Sequence, residues 1–153
     1  MPTQWGALPA AREPDLGVAA MRDAYRRRRD LALAILKPAG LADYEPDGAF
    51  YIMADVSSTG MSGDAFAEAL LREERVAVAP GVGFAIQPEV GPDGIPTAMP
   101  HASGAPAYPS NPKASQRVRI AFCVSDEELR EGLTRMVRFA DRVRANRGVK
   151  AGA

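Results

Sequence analysis

Lysine, histidine and cysteine are nearly missing from this 153-residue chain: Lys37, Lys113 and Lys150, His101 and Cys123 are all there is. A single cysteine excludes an internal disulfide, and Cys123 among apolar strand neighbours reads as a buried structural thiol. A single histidine with no partnering cysteines or acids gives no metal site, and His101 reads as solvent-exposed. A formal net charge of zero removes the electrostatic reason to expect nucleic acid or an anionic membrane surface. No apolar run reaches membrane-spanning length. Met1 to Leu16 lacks the basic start and apolar stretch of a secretory signal, so the expectation is a cytoplasmic chain. Gly81-Val82-Gly83 has no third glycine at the right offset and opens no helix, which excludes a dinucleotide loop.

Against those absences stand ordinary globular values of 46% hydrophobic and 25% charged residues, enough for one domain with a core. The clearest strand is Gln116 to Ser125. Side chains alternate along a strand, so Val118, Ile120, Phe122 and Val124 share a core face while Arg117, Arg119, Ala121 and Cys123 share the other. By residue type alone this is an edge strand with two solvated arginines. Ser125-Asp126-Glu127-Glu128 is a capping box opening a helix with Leu129, Leu133, Met136, Ala140 and Val143 inward, ended by Gly148.

Upstream, residues 1–13 show no periodicity and read as a flexible tail. Pro14-Asp15 starts a long helix to Leu36 with Met21, Tyr25, Ala32 and Ile35 or Leu36 inward. Its run Arg26-Arg27-Arg28-Arg29 points in four directions and reads as a solvated flank. Residues 41–45 and 49–56 form a hairpin about the turn Pro46-Asp47-Gly48. Ser62 caps a helix to about Arg75 whose stripe is Phe66, Ala69 or Leu70, and Leu71. Val76–Ala79 is a short strand. Residues 85–115, dense in proline and glycine, leave no room for regular structure. The order predicts an α+β layer with an antiparallel or mixed sheet and helices on one face, in a single domain over 14–147 with an insertion at 85–115 and a tail at 148–153.

The fragments around Tyr25–Leu31, Pro46–Tyr51 with Asp55, Phe66–Leu71, Val76–Phe84 and Val118–Leu129 occur in an order that resembles the C-terminal small domain of the class I and II aminotransferases, over roughly 14–84 and 116–145. The resemblance implies a pyridoxal-phosphate enzyme moving an amino group between an amino acid and a 2-oxo acid. It implies that Arg119 binds the substrate's α-carboxylate, a match of planar guanidinium to carboxylate, while Arg117 has no such role and stays solvated. It also implies a missing large domain or homodimer partner.

The cofactor-bearing lysine of the family lies in a Ser-rich turn far upstream of the arginine, and this chain has no such turn. Lys113 is too close to Arg119 in sequence to replace it. The implied reading is therefore a segment that binds no pyridoxal phosphate stably and is not catalytic by itself, with no catalytic, cofactor-binding or metal-ligating residue of its own. The other reading that residues alone leave open is a non-catalytic amino-acid-binding or interaction module.

Overall fold

A computed structural model describes residues 2–12, 17–84 and 112–151. Eight elements follow in order: α1 (Pro2–Arg12), α2 (Val18–Leu36), β1 (Tyr51–Asp55), α3 (Gly63–Glu74), β2 (Ala79–Pro80), α4 (Pro112–Ser115), β3 (Arg117–Ala121) and α5 (Asp126–Ala151). Single 3-10 turns stand at Ser57–Thr59 and Gly81–Phe84. His101 and most of the proline-rich stretch lie outside the described residues.

The three strands form one antiparallel sheet in the order β1-β3-β2. This is the predicted α+β layer, with one correction: β3 is the central strand, not an edge, because it pairs on both sides. Its inner residues Val118 and Ile120 join Ile52 and Ala54 of β1 in the core, facing α2, α3 and α5. Helix α2 contributes Ala32, Leu33 and Leu36, α3 contributes Phe66, Ala67 and Leu70, and α5 contributes Leu129, Leu133, Met136, Phe139 and Ala140. The Phe66 and Phe139 rings meet edge to face with centroids 5.1 Å apart. Phe139 falls in the helical period of α5 but was not among its predicted inward positions.

The predicted caps are present. Ser62 Oγ accepts from the Ala65 amide at 3.2 Å. Ser125 Oγ accepts from the Glu128 amide at 3.2 Å, while a Glu128 carboxylate oxygen accepts from the Ser125 amide at 3.0 Å. Those bonds hold the Glu128 carboxyl below its ordinary range.

Several local expectations are overturned. Residues 2–12 are helical, and α5 runs past Gly148 to Ala151. Residues 112–115, expected irregular, form α4. Segment 41–45 is not a hairpin strand: only Leu41 O accepts a ladder-like bond, from Asp55 N, and the Tyr44 hydroxyl accepts from the Met53 amide at 3.0 Å. The chain between them passes through Ala49 at φ 66°, which no tight hairpin turn about Pro46–Gly48 provided for. The pairing of β2 begins at Ala79, not Val76. Met21, Leu71 and Val124 are exposed although their spacing placed them inward. Cys123 is exposed as well, because it lies beyond the end of β3 on the sheet side opposite α2, α3 and α5.

The arginine run is split. Arg26 and Arg27 are exposed, while Arg28 bonds Asp126 at 3.0 Å, and Arg29 pairs with Asp30 at 2.8 Å and Glu45 at 3.2 Å. No helix among the described residues is long and apolar enough to cross a membrane, and no group of metal-ligating side chains is present among them.

Candidate functional site

The antiparallel register sets Met53 opposite Arg119 and Asp55 opposite Arg117. Since alternate residues face alternate sides, Tyr51, Met53, Asp55, Arg117 and Arg119 project together from the face away from α2, α3 and α5. Their face opens on a groove of about 450 Å³ lined by Tyr51, Met53, Gly81, Phe84, Lys113, Ala114, Arg117 and Arg119.

The far wall is the 3-10 turn Gly81–Phe84. It backs directly onto the start of β3: a Cβ on Gly81 would stand 2.6 Å from both Ala114 O and Arg117 O. Only a residue without a side chain permits that approach. The closeness of the turn carries Phe84 over the groove, where its ring centre lies 4.1 Å from the Arg119 guanidinium carbon. The Tyr51 ring faces the same guanidinium at 5.5 Å. Both distances are within cation–π range. Arg119 has no carboxylate partner among the described residues, so its fork of donors is available to an anion from outside.

Arg117, two residues away on the same face, is in the opposite state. It is not the solvated side chain that residue type suggested. Its Nη1 donates to Asp43 Oδ1 at 3.0 Å, its Nη2 donates to Asp43 Oδ2 at 2.6 Å, and Asp55 Oδ2 stands 3.7 Å from Nη2. Met53 O accepts from Nη1 at 3.4 Å, and the Tyr44 ring centre lies 6.0 Å from the guanidinium. The pair raises the Arg117 pKa and lowers that of Asp43, chiefly through the shared hydrogen bonds. Sequence reasoning missed Asp43 because nothing local links it to a partner 74 residues downstream.

Lys113, inside the stretch 85–115 that the sequence marks as irregular, also lines the groove. The two carboxylates nearest the groove, Asp43 and Asp55, face Arg117. With the Arg119 guanidinium between aromatic walls, the groove suits the anionic end of a small molecule. Its residues do not by themselves make up a pyridoxal-phosphate site, which needs in addition an acid for the ring nitrogen and a cradle for the phosphate.

Comparison with known proteins places the chain in a family. The model for aminotransferase class I and II matches residues 1–136, including the stretch expected to be a tail. The arginine–pyruvate transaminase of Pseudomonas aeruginosa is 35% identical over 124 residues, covering 80% of this chain and 29% of the relative. The aspartate/prephenate aminotransferase of Thermus thermophilus is 34% identical over 142 residues, covering 91% of this chain and 29% of the relative. Among solved structures, the aromatic aminotransferase of Pyrococcus horikoshii superposes with a TM-score of 0.60 at 32% identity, covering 82% of this chain and 26% of that one. The chain thus spans less than a third of the length of these curated relatives. By sequence and by fold, it belongs to the class I and II aminotransferase family.

Proposed function

We propose that the chain is the C-terminal small-domain segment of a pyridoxal-phosphate-dependent aminotransferase, the unit over 14–147, and that Arg119 is its contribution to the substrate site. The single observation that carries this reading is the state of Arg119: a guanidinium in a groove between two aromatic rings, with no carboxylate partner among the described residues. A buried or half-buried cation in that condition is matched by a carboxylate supplied from outside.

In the whole enzyme pyridoxal phosphate supplies the electron sink beside the amino-bearing carbon. The task of this chain is orientation. Two parallel N–H donors of Arg119 grip the α-carboxylate and fix the plane in which the rest of the amino acid or 2-oxo acid stands. Phe84 and Tyr51 restrict the guanidinium and exclude water from one side, which strengthens the charge-assisted bonds. The rest of the site, including the cofactor-bearing lysine, belongs to a large domain or a partner chain, so the isolated chain binds substrate weakly and turns nothing over.

Titration with L-alanine, followed through the arginine Nε–H signals, tests the reading. The Arg119 signal moves with millimolar ligand, and the accompanying shifts of the Tyr51 and Phe84 backbone amides are lost in Arg119→Lys, because an ammonium cannot form the two-pronged pair. An unmoved Arg119 signal rejects the reading. Micromolar binding lost in Arg119→Lys points instead to a self-sufficient amino-acid-binding module. Pyridoxal phosphate followed by borohydride leaves no stoichiometric adduct, and one fixed at Lys113 overturns the non-catalytic assignment.

A further inference from the structure

The groove carries two guanidinium groups on one strand face, two residues and therefore about 7 Å apart along β3, yet they differ in availability. Arg117 is held by both carboxylate oxygens of Asp43, at 3.0 and 2.6 Å, with Asp55 at 3.7 Å behind them. Its side chain is 17% exposed, and Met53 O takes a further N–H. Arg119 has aromatic neighbours only among its described contacts of this kind. Without Asp43, the wall would present two forks at a spacing suited to an anion with two charged ends.

Building on the carboxylate role of Arg119, we propose that Asp43 is a specificity-determining residue: by occupying Arg117 it withdraws the second guanidinium, so this wall accepts one carboxylate and does not select dicarboxylates. The chemistry follows from the geometry. A two-pronged, charge-assisted pair satisfies the donors on one edge of Arg117 and cancels its charge locally. A second ligand carboxylate would have to displace Asp43 and leave that aspartate beside it. Asp55 is too far for a good hydrogen bond at 3.7 Å and acts as a reserve charge.

The test uses the full chain, with acetate as the one-carboxylate probe and succinate as the two-carboxylate probe, read through the Nε–H signals of both arginines. In the wild type, Arg119 responds to either probe and Arg117 to neither. In Asp43→Asn, and more fully in Asp43→Asn/Asp55→Asn, the Arg117 signal responds to succinate and the succinate-to-acetate affinity ratio rises about tenfold. An unchanged ratio and a silent Arg117 in variants that keep the wild-type circular dichroism overturn the proposal. If those variants do not fold, Asp43→Asn/Arg117→Gln, which removes the pair without net charge change, decides it. Succinate affinity stays at the wild-type level if Asp43 already occupies Arg117, and a drop means that Arg117 was binding ligand all along. Silence of Arg119 in the wild type rejects its carboxylate role separately, while the Arg117 response in the variants still decides the role of Asp43.

Discussion

The guanidinium carbon of Arg119 lies 4.1 Å from the centre of the Phe84 ring, although 34 positions of chain and the whole proline-rich stretch separate them. A cation over an aromatic face at a half-exposed site gains about 0.5–1 kcal/mol. Phe84→Ala is therefore expected to weaken carboxylate binding at Arg119 by about threefold, while Phe84→Tyr retains it. Titration of both variants with acetate checks the pair, and an unweakened Phe84→Ala shows that the ring does not restrain the arginine.

Glu74, at the end of α3, is almost fully buried and bonds two arginines of α5: Arg138 at 2.6 Å and Arg142 at 2.9 Å. Its backbone oxygen accepts from Arg135 at 3.2 Å. An amide at this position keeps one acceptor oxygen but sets an NH2 donor against the other guanidinium, which loses its charged acceptor. Glu74→Gln is expected to lower the urea midpoint by more than Glu73→Gln, since Glu73 is exposed and meets Arg142 alone. Equal midpoints for the two variants would reject this difference.

Acid sensitivity follows from the same bonds. The carboxyls of Glu74 and Asp43 are both held below their ordinary values of 4.5 and 3.8 by hydrogen bonds from arginine. A carboxyl whose pKa is lower in the folded than in the unfolded state binds fewer protons when folded. Its stabilisation is complete above the unfolded value and is lost as pH falls through the folded one. Stability from these two groups is expected to be flat from neutral pH down to about 5 and to decline below it. Urea denaturation between pH 7 and 3 measures the decline, and Glu74→Gln makes it shallower.

The edge-to-face contact of Phe66 and Phe139 joins α3 to α5 in the core, and both rings are essentially inaccessible. Phe139→Ala should cost about 3–5 kcal/mol, whereas Phe139→Leu should cost distinctly less because it keeps most of the volume. Thermal unfolding of the two variants gives the ranking.

Gly81 tests the construction of the groove wall. Gly81→Ala forces its new methyl against the backbone oxygens of Ala114 and Arg117, neither of which is a flexible side-chain end. The turn must move outward, taking Phe84 away from Arg119, so carboxylate binding falls along with stability. The variant at neighbouring Gly83, where a Cβ would meet nothing within 4 Å, leaves both unchanged.

What could be read in advance was local. Alternation along 117–122 assigned Val118, Ile120 and Phe122 inward and both arginines outward. The serine caps at 62 and 125 needed only a hydroxyl and an amide three residues on. The hairpin at 41–56 failed because Tyr44 supplies a side-chain acceptor where a backbone partner was expected. The stripe extended to Met21, Leu71 and Val124 because periodicity continues past the point where a neighbour stops covering it.

By itself, the sequence determined the strand, its two faces and the capped helix after it, because these depend on neighbours one to four residues apart. The difference between Arg117 and Arg119 depended on tertiary structure. The two side chains share a strand, a face and a chemistry, and they diverge because folding sets Asp43 against one and the Phe84 ring against the other. Neither partner lies near its arginine in the chain, so no local pattern distinguishes an occupied guanidinium from one left open to a ligand.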